Sequence, residues 1–189
     1  MEEKTGKLIV IVAPSGTGKS SLMRRLKKEN LLLDESISYT TRPIRPGEED
    51  GRDYFFVGHD DFKSMIKNDE FIEWFLVHGE YKGTSKKFVE KKVNKGHNLI
   101  FDLDIQGTDA IKKFFPKQAI AIFIKPPSFE VLKDRLIGRG TESENTLKVR
   151  LENAKKELMR SDDYDYIVVN DDLNRAYEEL RQLVIKLIK

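Results

Sequence analysis

Five consecutive apolar residues, Leu8-Ile9-Val10-Ile11-Val12, run directly into Ala13-Pro14-Ser15-Gly16-Thr17-Gly18-Lys19-Ser20, and apolar residues then recur at Leu22, Met23 and Leu26. This junction constrains the fold more than any other stretch of the chain. A near-continuous apolar run reads as a strand buried on both faces, and the later spacing reads as an amphipathic helix. Between them, Gly16 and Gly18 let backbone N–H groups turn inward around an anion, and the helix start adds its positive dipole end. Strand, glycine-rich turn, Gly-Lys-Ser and helix together specify a phosphate-binding loop in an α/β fold. The expected ATP contacts are Ala13, Pro14, Ser15, Gly16, Thr17, Gly18, Lys19, Ser20 and Ser21. In such a loop Lys19 meets the β- and γ-phosphates and the Ser20 hydroxyl serves Mg2+. The general pattern opens with glycine where this chain has Ala13, a residue small enough if φ stays negative there.

The rest of the chain repeats the strand–helix rhythm. Leu99–Leu103, Ile120–Ile124 and Tyr166–Val169 are further apolar runs, and a fifth strand is expected near Ser36–Tyr39. Helical spacing covers roughly Ser20–Glu29, Ser85–Lys95, Thr108–Phe115, Ser128–Ile137, Glu144–Leu158 and Leu173–Ile188. Alternating strands and helices imply a parallel sheet core flanked by helices. At 189 residues, 39% hydrophobic, the chain suits a single domain. Residues 37–90 break the rhythm with turns and aromatics, which suggests an inserted lobe. Gly138-Arg139-Gly140-Thr141 reads as the start of a flexible flap. Asp102 and Asp104 stand at the C-terminal end of their strand, where ligands bind in such sheets and where a phosphate-loop protein orders Mg2+ or its waters. Ser20 and Asp102 are therefore the candidate metal ligands. With 34 basic and 32 acidic residues, bulk nucleic-acid binding is not indicated, and the lack of cysteine rules out disulfides and thiolate metal sites. His59, His78 and His97 show no metal-ligand spacing. The N-terminus lacks a secretory pattern and no apolar run approaches membrane-spanning length, so the expectation is a cytoplasmic protein without nucleic-acid or membrane partners.

Ser38-Tyr39-Thr40-Thr41-Arg42-Pro43-Ile44-Arg45-Pro46-Gly47-Glu48 and Gly51-Arg52-Asp53-Tyr54-Phe55-Phe56 resemble the nucleotide-acceptor segment of guanylate kinases. Phe71-Ile72-Glu73-Trp74, Gly83-Thr84, Asp102-Leu103-Asp104-Ile105-Gln106-Gly107, Arg135-Leu136, Gly138-Arg139-Gly140-Thr141 and Val169-Asn170-Asp171-Asp172 continue the match in family order over nearly the whole chain. The resemblance implies a P-loop nucleoside monophosphate kinase. Its core would comprise residues 1–36, 92–136 and 159–189, its GMP-binding lobe 37–91 and its lid 137–158. It implies transfer of the γ-phosphoryl group of ATP to GMP with Mg2+, by a monomer or weak dimer, and leaves dGMP as an open alternative acceptor.

Residue by residue, the resemblance makes Arg42, Arg45 and Tyr54 the grip on the GMP phosphate, and two arginine forks on a proline-stiffened loop suit that task. It places Glu73 on the guanine edge that carries N1–H and the exocyclic amine, with Ser38 and Thr84 on the O6/N7 side. Tyr81, Asp102 and Asp104 complete the expected GMP contacts. Similar enzymes carry tyrosine where this chain has Lys82, which leaves a contact from Lys82, an exposed Lys82 or a shifted Tyr81 all open. Lys19, Arg42, Arg135, Arg139 and Arg150 are the expected catalytic group, the last three closing over ATP, and Asn170 and Asp171 are expected near adenine. From the residues alone, Glu73 beside Trp74 also fits a plain helix carboxylate. Two other functions remain open: a non-catalytic interaction module of the same fold, which would lose Lys19 and Ser20, and a P-loop kinase for another acceptor.

Overall fold

The computed structural model describes residues 5–29, 31–138 and 144–189. In chain order the elements are β1 (Leu8–Val12), α1 (Lys19–Lys27), β2 (Asp34–Glu35), β3 (Tyr39–Thr40), β4 (Phe55–Phe56), α2 (His59–Lys67), β5 (Phe71–Val77) and β6 (Glu80–Ser85). They continue with α3 (Lys86–Asn94), β7 (Leu99–Asp102), α4 (Ile105–Phe114), β8 (Ala119–Lys125), α5 (Phe129–Ile137), α6 (Glu144–Met159), β9 (Tyr166–Val169) and α7 (Leu173–Ile188).

Every residue of β1 is buried, because both faces of its sheet are covered. Leu8, Val10 and Val12 point to one side, against Val89 and Val93 of α3 and Ile111 of α4. Ile9 and Ile11 point to the other, against Leu22 and Leu26 of α1 and Leu180 and Val184 of α7. Each such side chain contributes about 1.5–3 kcal/mol by leaving water. The sheet is parallel throughout, in the order β2-β7-β1-β8-β9. That order places the ends of β1 and β7, and hence Ala13–Ser20 and Asp102–Asp104, side by side.

A second sheet, β4-β3-β6-β5, holds the aromatic-rich insertion. Phe62 of α2 stacks on Phe71 and Tyr81 at ring-centroid distances of 4.4 and 5.2 Å, giving this sheet its own small core. The expected fifth strand near Ser36–Tyr39 is split between the two sheets. Asp34–Glu35 pairs with β7 in the large sheet, and Tyr39–Thr40 pairs with β4 and β6 in the small one. Residues 36–38 are the crossing, and pairs only two residues long leave little periodic signal in sequence. Glu73 lies on a strand, not on the helix its neighbours allowed. Among the described residues, no helix is long and apolar enough to cross a membrane.

Candidate active site

The loop after β1 is built as its glycines require. Gly16 and Gly18 have φ values of 89° and 91°, a region costly for side-chain-bearing residues. Ala13 is not among the positive-φ residues, so alanine is tolerated where the general pattern has glycine. Thr17 is fully buried and ties the loop to itself, its hydroxyl donating to Pro14 O at 2.9 Å. Helix α1 starts at Gly18 without a side-chain cap, whereas α3, α4, α5 and α7 are capped by Ser85, Asp104, Ser128 and Asp172. An uncapped first turn keeps N–H donors available for an anion. Lys19 reaches across to the end of β7, where its Nζ pairs with Asp102 Oδ1 at 2.6 Å and donates to Leu103 O at 3.1 Å. Asp104 spends one carboxylate oxygen on the Gly107 N–H at 2.8 Å and so starts α4. Half-buried Glu157 of α6 is close enough to Lys19 and Asp104 to feel both. Burial pushes its carboxyl up, Lys19 opposes that, and Asp104 adds to it.

The small sheet supplies the second half. Arg42 Nη2 is held by both oxygens of Glu48, at 2.8 and 3.0 Å, while Nη1 donates to Pro43 O at 2.7 Å. The same carboxylate accepts the Arg45 N–H at 2.9 Å, leaving the Arg45 side chain exposed. Glu48 thus orients the turn that carries both arginines, a role not evident in the sequence; the regular spacing Arg42, Arg45, Glu48 was the available signal. Tyr54 lies beside two cations, with Arg42 Cζ 5.5 Å and Lys82 Nζ 5.0 Å from its ring centroid and Lys82 Nζ 3.4 Å from its hydroxyl.

Strand alternation separates Lys82 from Tyr81. Lys82 and Thr84 share one face of β6; Tyr81 points the other way, against Phe62, Trp74 and His59. Tyr81, one of the expected acceptor contacts, thus has its ring packed in the small core, on the face of β6 opposite Lys82 and Thr84.

Glu73 and Thr84 stand directly opposite each other because β5 carries a bulge between Phe71 and Glu73. The Thr84 hydroxyl donates to Glu73 Oε1 at 2.5 Å. Glu73 Oε2 is buried and has no hydrogen-bond partner among the described residues. Burial pushes this carboxyl above its ordinary range, the Thr84 hydrogen bond pulls it down, Asp104 raises it further and Lys82 lowers it. Gly83 makes the close approach possible, for a Cβ there would lie 3.0 Å from Glu73 O, Phe71 Cδ1 and Trp74 Cβ.

A cavity of about 200 Å³ joins the halves, with Ser38, Tyr54 and Lys82 on one wall and Asp102 and Leu103 on the other. Another cavity, of about 780 Å³, lies at the opposite ends of the strands, beside Lys7, Asp34 and Asn98, and carries none of these groups. Arg135 is docked on the loop after β9, its Nη1 3.0 Å from Asn170 O and its Nη2 3.4 Å from Asp171 O. Asn170 itself is 4% exposed and donates its side-chain amide to Thr17 O at 2.6 Å, so it faces the phosphate loop. Asp171 pairs with Arg175. Arg150 is on α6, and Arg139 lies outside the described residues. Ser20 is exposed in the first turn of α1. Among the described residues no cluster of three or more His, Cys, Asp or Glu could cage a metal. A hydroxyl at Ser20 and a carboxylate at Asp102 instead fit a hard cation that arrives with phosphate oxygens and water.

Comparison with known proteins agrees with this geometry. The guanylate kinase family model matches residues 5–187. A guanylate kinase of Thermotoga maritima is 45% identical over 179 residues, covering 95% of this chain and 86% of the relative. One of Dechloromonas aromatica is 44% identical over 179 residues, covering 95% and 88%. The crystal structure of guanylate kinase from Anaplasma phagocytophilum superposes with a TM-score of 0.69 at 29% identity, over 96% of this chain and 85% of that one. A strand-to-helix phosphate loop, a turn bearing two arginines and a shielded carboxylate thus occur together along one nearly full-length match: the chain belongs to the guanylate kinase family.

Proposed function

We propose that the chain transfers the γ-phosphoryl group of ATP to GMP, with donor and acceptor held on the two sides of the cleft between its sheets. The observation that carries the choice of acceptor is Glu73. A buried carboxylate with one oxygen on Thr84 and the other without a partner is costly in the free protein. Guanine repays that cost through N1–H and its exocyclic amine, two donors on one edge, whereas adenine presents an acceptor at N1. Sites that leave buried polar groups unpaired with the wrong ligand discriminate by about 10⁴.

The donor triphosphate lies along Ala13–Ser21, with Lys19 leaving Asp102 for the β- and γ-phosphates. Ser20 and Asp102 would hold Mg2+, which when bound neutralises phosphate charge. Arg42, Arg45, Tyr54 and Lys82 take the GMP phosphate, and Ser38, Thr84 and Asp104 border the base. A GMP phosphate oxygen attacks the γ-phosphorus, the bond to the β–γ bridging oxygen breaks, and ADP departs with the electron pair. Phosphoryl transfer needs alignment and charge neutralisation more than a covalent catalyst. Arg135, Arg139 and Arg150 supply positive charge as residues 137–158 close over the donor and exclude water.

The test is a coupled assay with ATP, Mg2+ and each nucleoside monophosphate in turn. GMP is expected to be phosphorylated and AMP not; strong turnover of AMP without GMP would overturn the assignment of Glu73.

A further inference from the structure

Asn170 sits where the two structures that surround the donor meet. Its backbone N–H donates to Lys125 O at 2.8 Å, which fixes the residue to the end of the large sheet. Its buried side-chain amide donates to Thr17 O at 2.6 Å, 153 residues away in sequence. The fit is tight, because a Cβ on Gly18 would lie 2.4 Å from Asn170 Nδ2. On its other side, the Asn170 carbonyl accepts from Arg135 Nη1 at 3.0 Å. Arg135 belongs to α5, whose Leu136 also presses on the loop, since a Cβ on Gly16 would lie 2.8 Å from Leu136 Cδ2. Asn170 therefore links the phosphate loop, through its side-chain amide, to α5, through its backbone carbonyl.

A trans peptide is planar, so its C=O and the following N–H point in opposite directions. With Thr17 O directed at the Asn170 amide, the Gly18 N–H must point away from Asn170. We infer that Asn170 is a positioning residue for the donor phosphates: by holding Thr17 O it fixes the Thr17–Gly18 peptide plane and keeps the Gly18 N–H aimed at phosphate. This role differs from the adenine contact that resemblance implied for Asn170, and it rests on the reading of Ala13–Ser20 as the donor loop.

Tripolyphosphate carries the donor's phosphates without its base and is the discriminating probe. Calorimetric titrations of the unmodified chain, Asn170→Asp and Asn170→Ala would use tripolyphosphate, ATP and GMP in turn. Asp has the size of Asn but cannot donate to Thr17 O. Affinities for tripolyphosphate and ATP are expected to fall together by about ten-fold, the loss of one buried hydrogen bond, while GMP affinity holds. A fall for ATP alone would make Asn170 a base contact, and no fall for either would remove its role; both outcomes overturn the inference. Failure of the unmodified chain to bind tripolyphosphate would instead refute the donor-loop reading. If substitution damages folding, seen as a parallel loss of GMP affinity, the unmodified chain decides the matter by NMR. Scalar coupling across the hydrogen bond from Asn170 Nδ2 to the Thr17 carbonyl carbon is expected with and without tripolyphosphate, and its disappearance on binding would refute the brace.

Discussion

Glu73→Gln keeps the size of the side chain and removes its charge, which separates what the fold prefers from what the site needs. In the free protein Glu73 is part-buried, and its Oε2 is shielded from water without a partner among the described residues. An unpaired buried polar group costs about 1–3 kcal/mol, and a neutral amide in that place costs less than a carboxylate. Glu73→Gln is therefore expected to stabilise the free protein by about 1 kcal/mol, or roughly 2–4 °C in Tm for a chain of this size. The pH sign follows from burial raising this carboxyl. Between the ordinary carboxylate range and the raised value, the folded state binds more protons than the unfolded. Stability due to Glu73 thus falls as pH rises through that window, and its cost is fully present above the raised value. With GMP the preference reverses. Gln offers one acceptor where guanine presents two donors, and sets its own amine against one of them. Losing a charge-assisted hydrogen bond and stranding a donor amounts to about 3–4 kcal/mol, or roughly 10²–10³-fold in GMP affinity. Calorimetric melting of the free protein and a coupled assay at saturating ATP read the two effects. A higher Tm, a GMP KM raised by that factor and an unchanged ATP KM are expected. A variant that melts lower while keeping its GMP KM would refute the reasoning.

GMP affinity of the parent should fall with acidity at a pH above that of an ordinary carboxylate, and Glu73→Gln should lack this step. Titration with guanosine, which has no phosphate, isolates it; identical profiles for parent and variant would contradict the assignment. Lys19→Ala should abolish transfer yet leave stability within about 1 kcal/mol of the parent, because its pair with the half-exposed Asp102 is weak. Near-normal turnover would remove Lys19 from the chemistry. Lys82→Met should raise the GMP KM several-fold and flatten its dependence on salt, with Lys82→Arg restoring both. An unchanged KM and salt slope would show that Lys82 does not touch the acceptor. Arg42→Ala should raise the GMP KM and lower kcat, and Glu48→Gln should do the same to a smaller degree through a misplaced Arg42; normal kinetics in Glu48→Gln would leave the Arg42–Glu48 pair structural.

The large sheet was legible because its strands are nearly continuous apolar runs, and burial on both faces permits little else. The phosphate loop was legible because its residues are contiguous and two positive-φ positions demand glycine. Helix bounds shifted where caps decided them: α4 begins at Ile105, ahead of the expected Thr108, since Asp104 caps it. The small sheet was harder to read. Strands of two residues, as in β3 and β4, carry no period, and the apolar run from Phe71 fits helix or strand until its partner is known.

Sequence by itself determined the α/β architecture, the phosphate-loop motif and, through resemblance, which residues to expect at the acceptor site. Tertiary structure decided how those residues face each other. A one-residue bulge in β5 sets Glu73 against Thr84, and the pleat of β6 turns Lys82 towards Tyr54 and the cleft and Tyr81 into the small core. Asn170, expected near adenine, has its side chain anchored to Thr17. Local order follows from residues within a few positions of one another, which a sequence displays. These pairings depend on register and on contacts across as many as 153 residues, where one inserted position reverses the face a side chain presents.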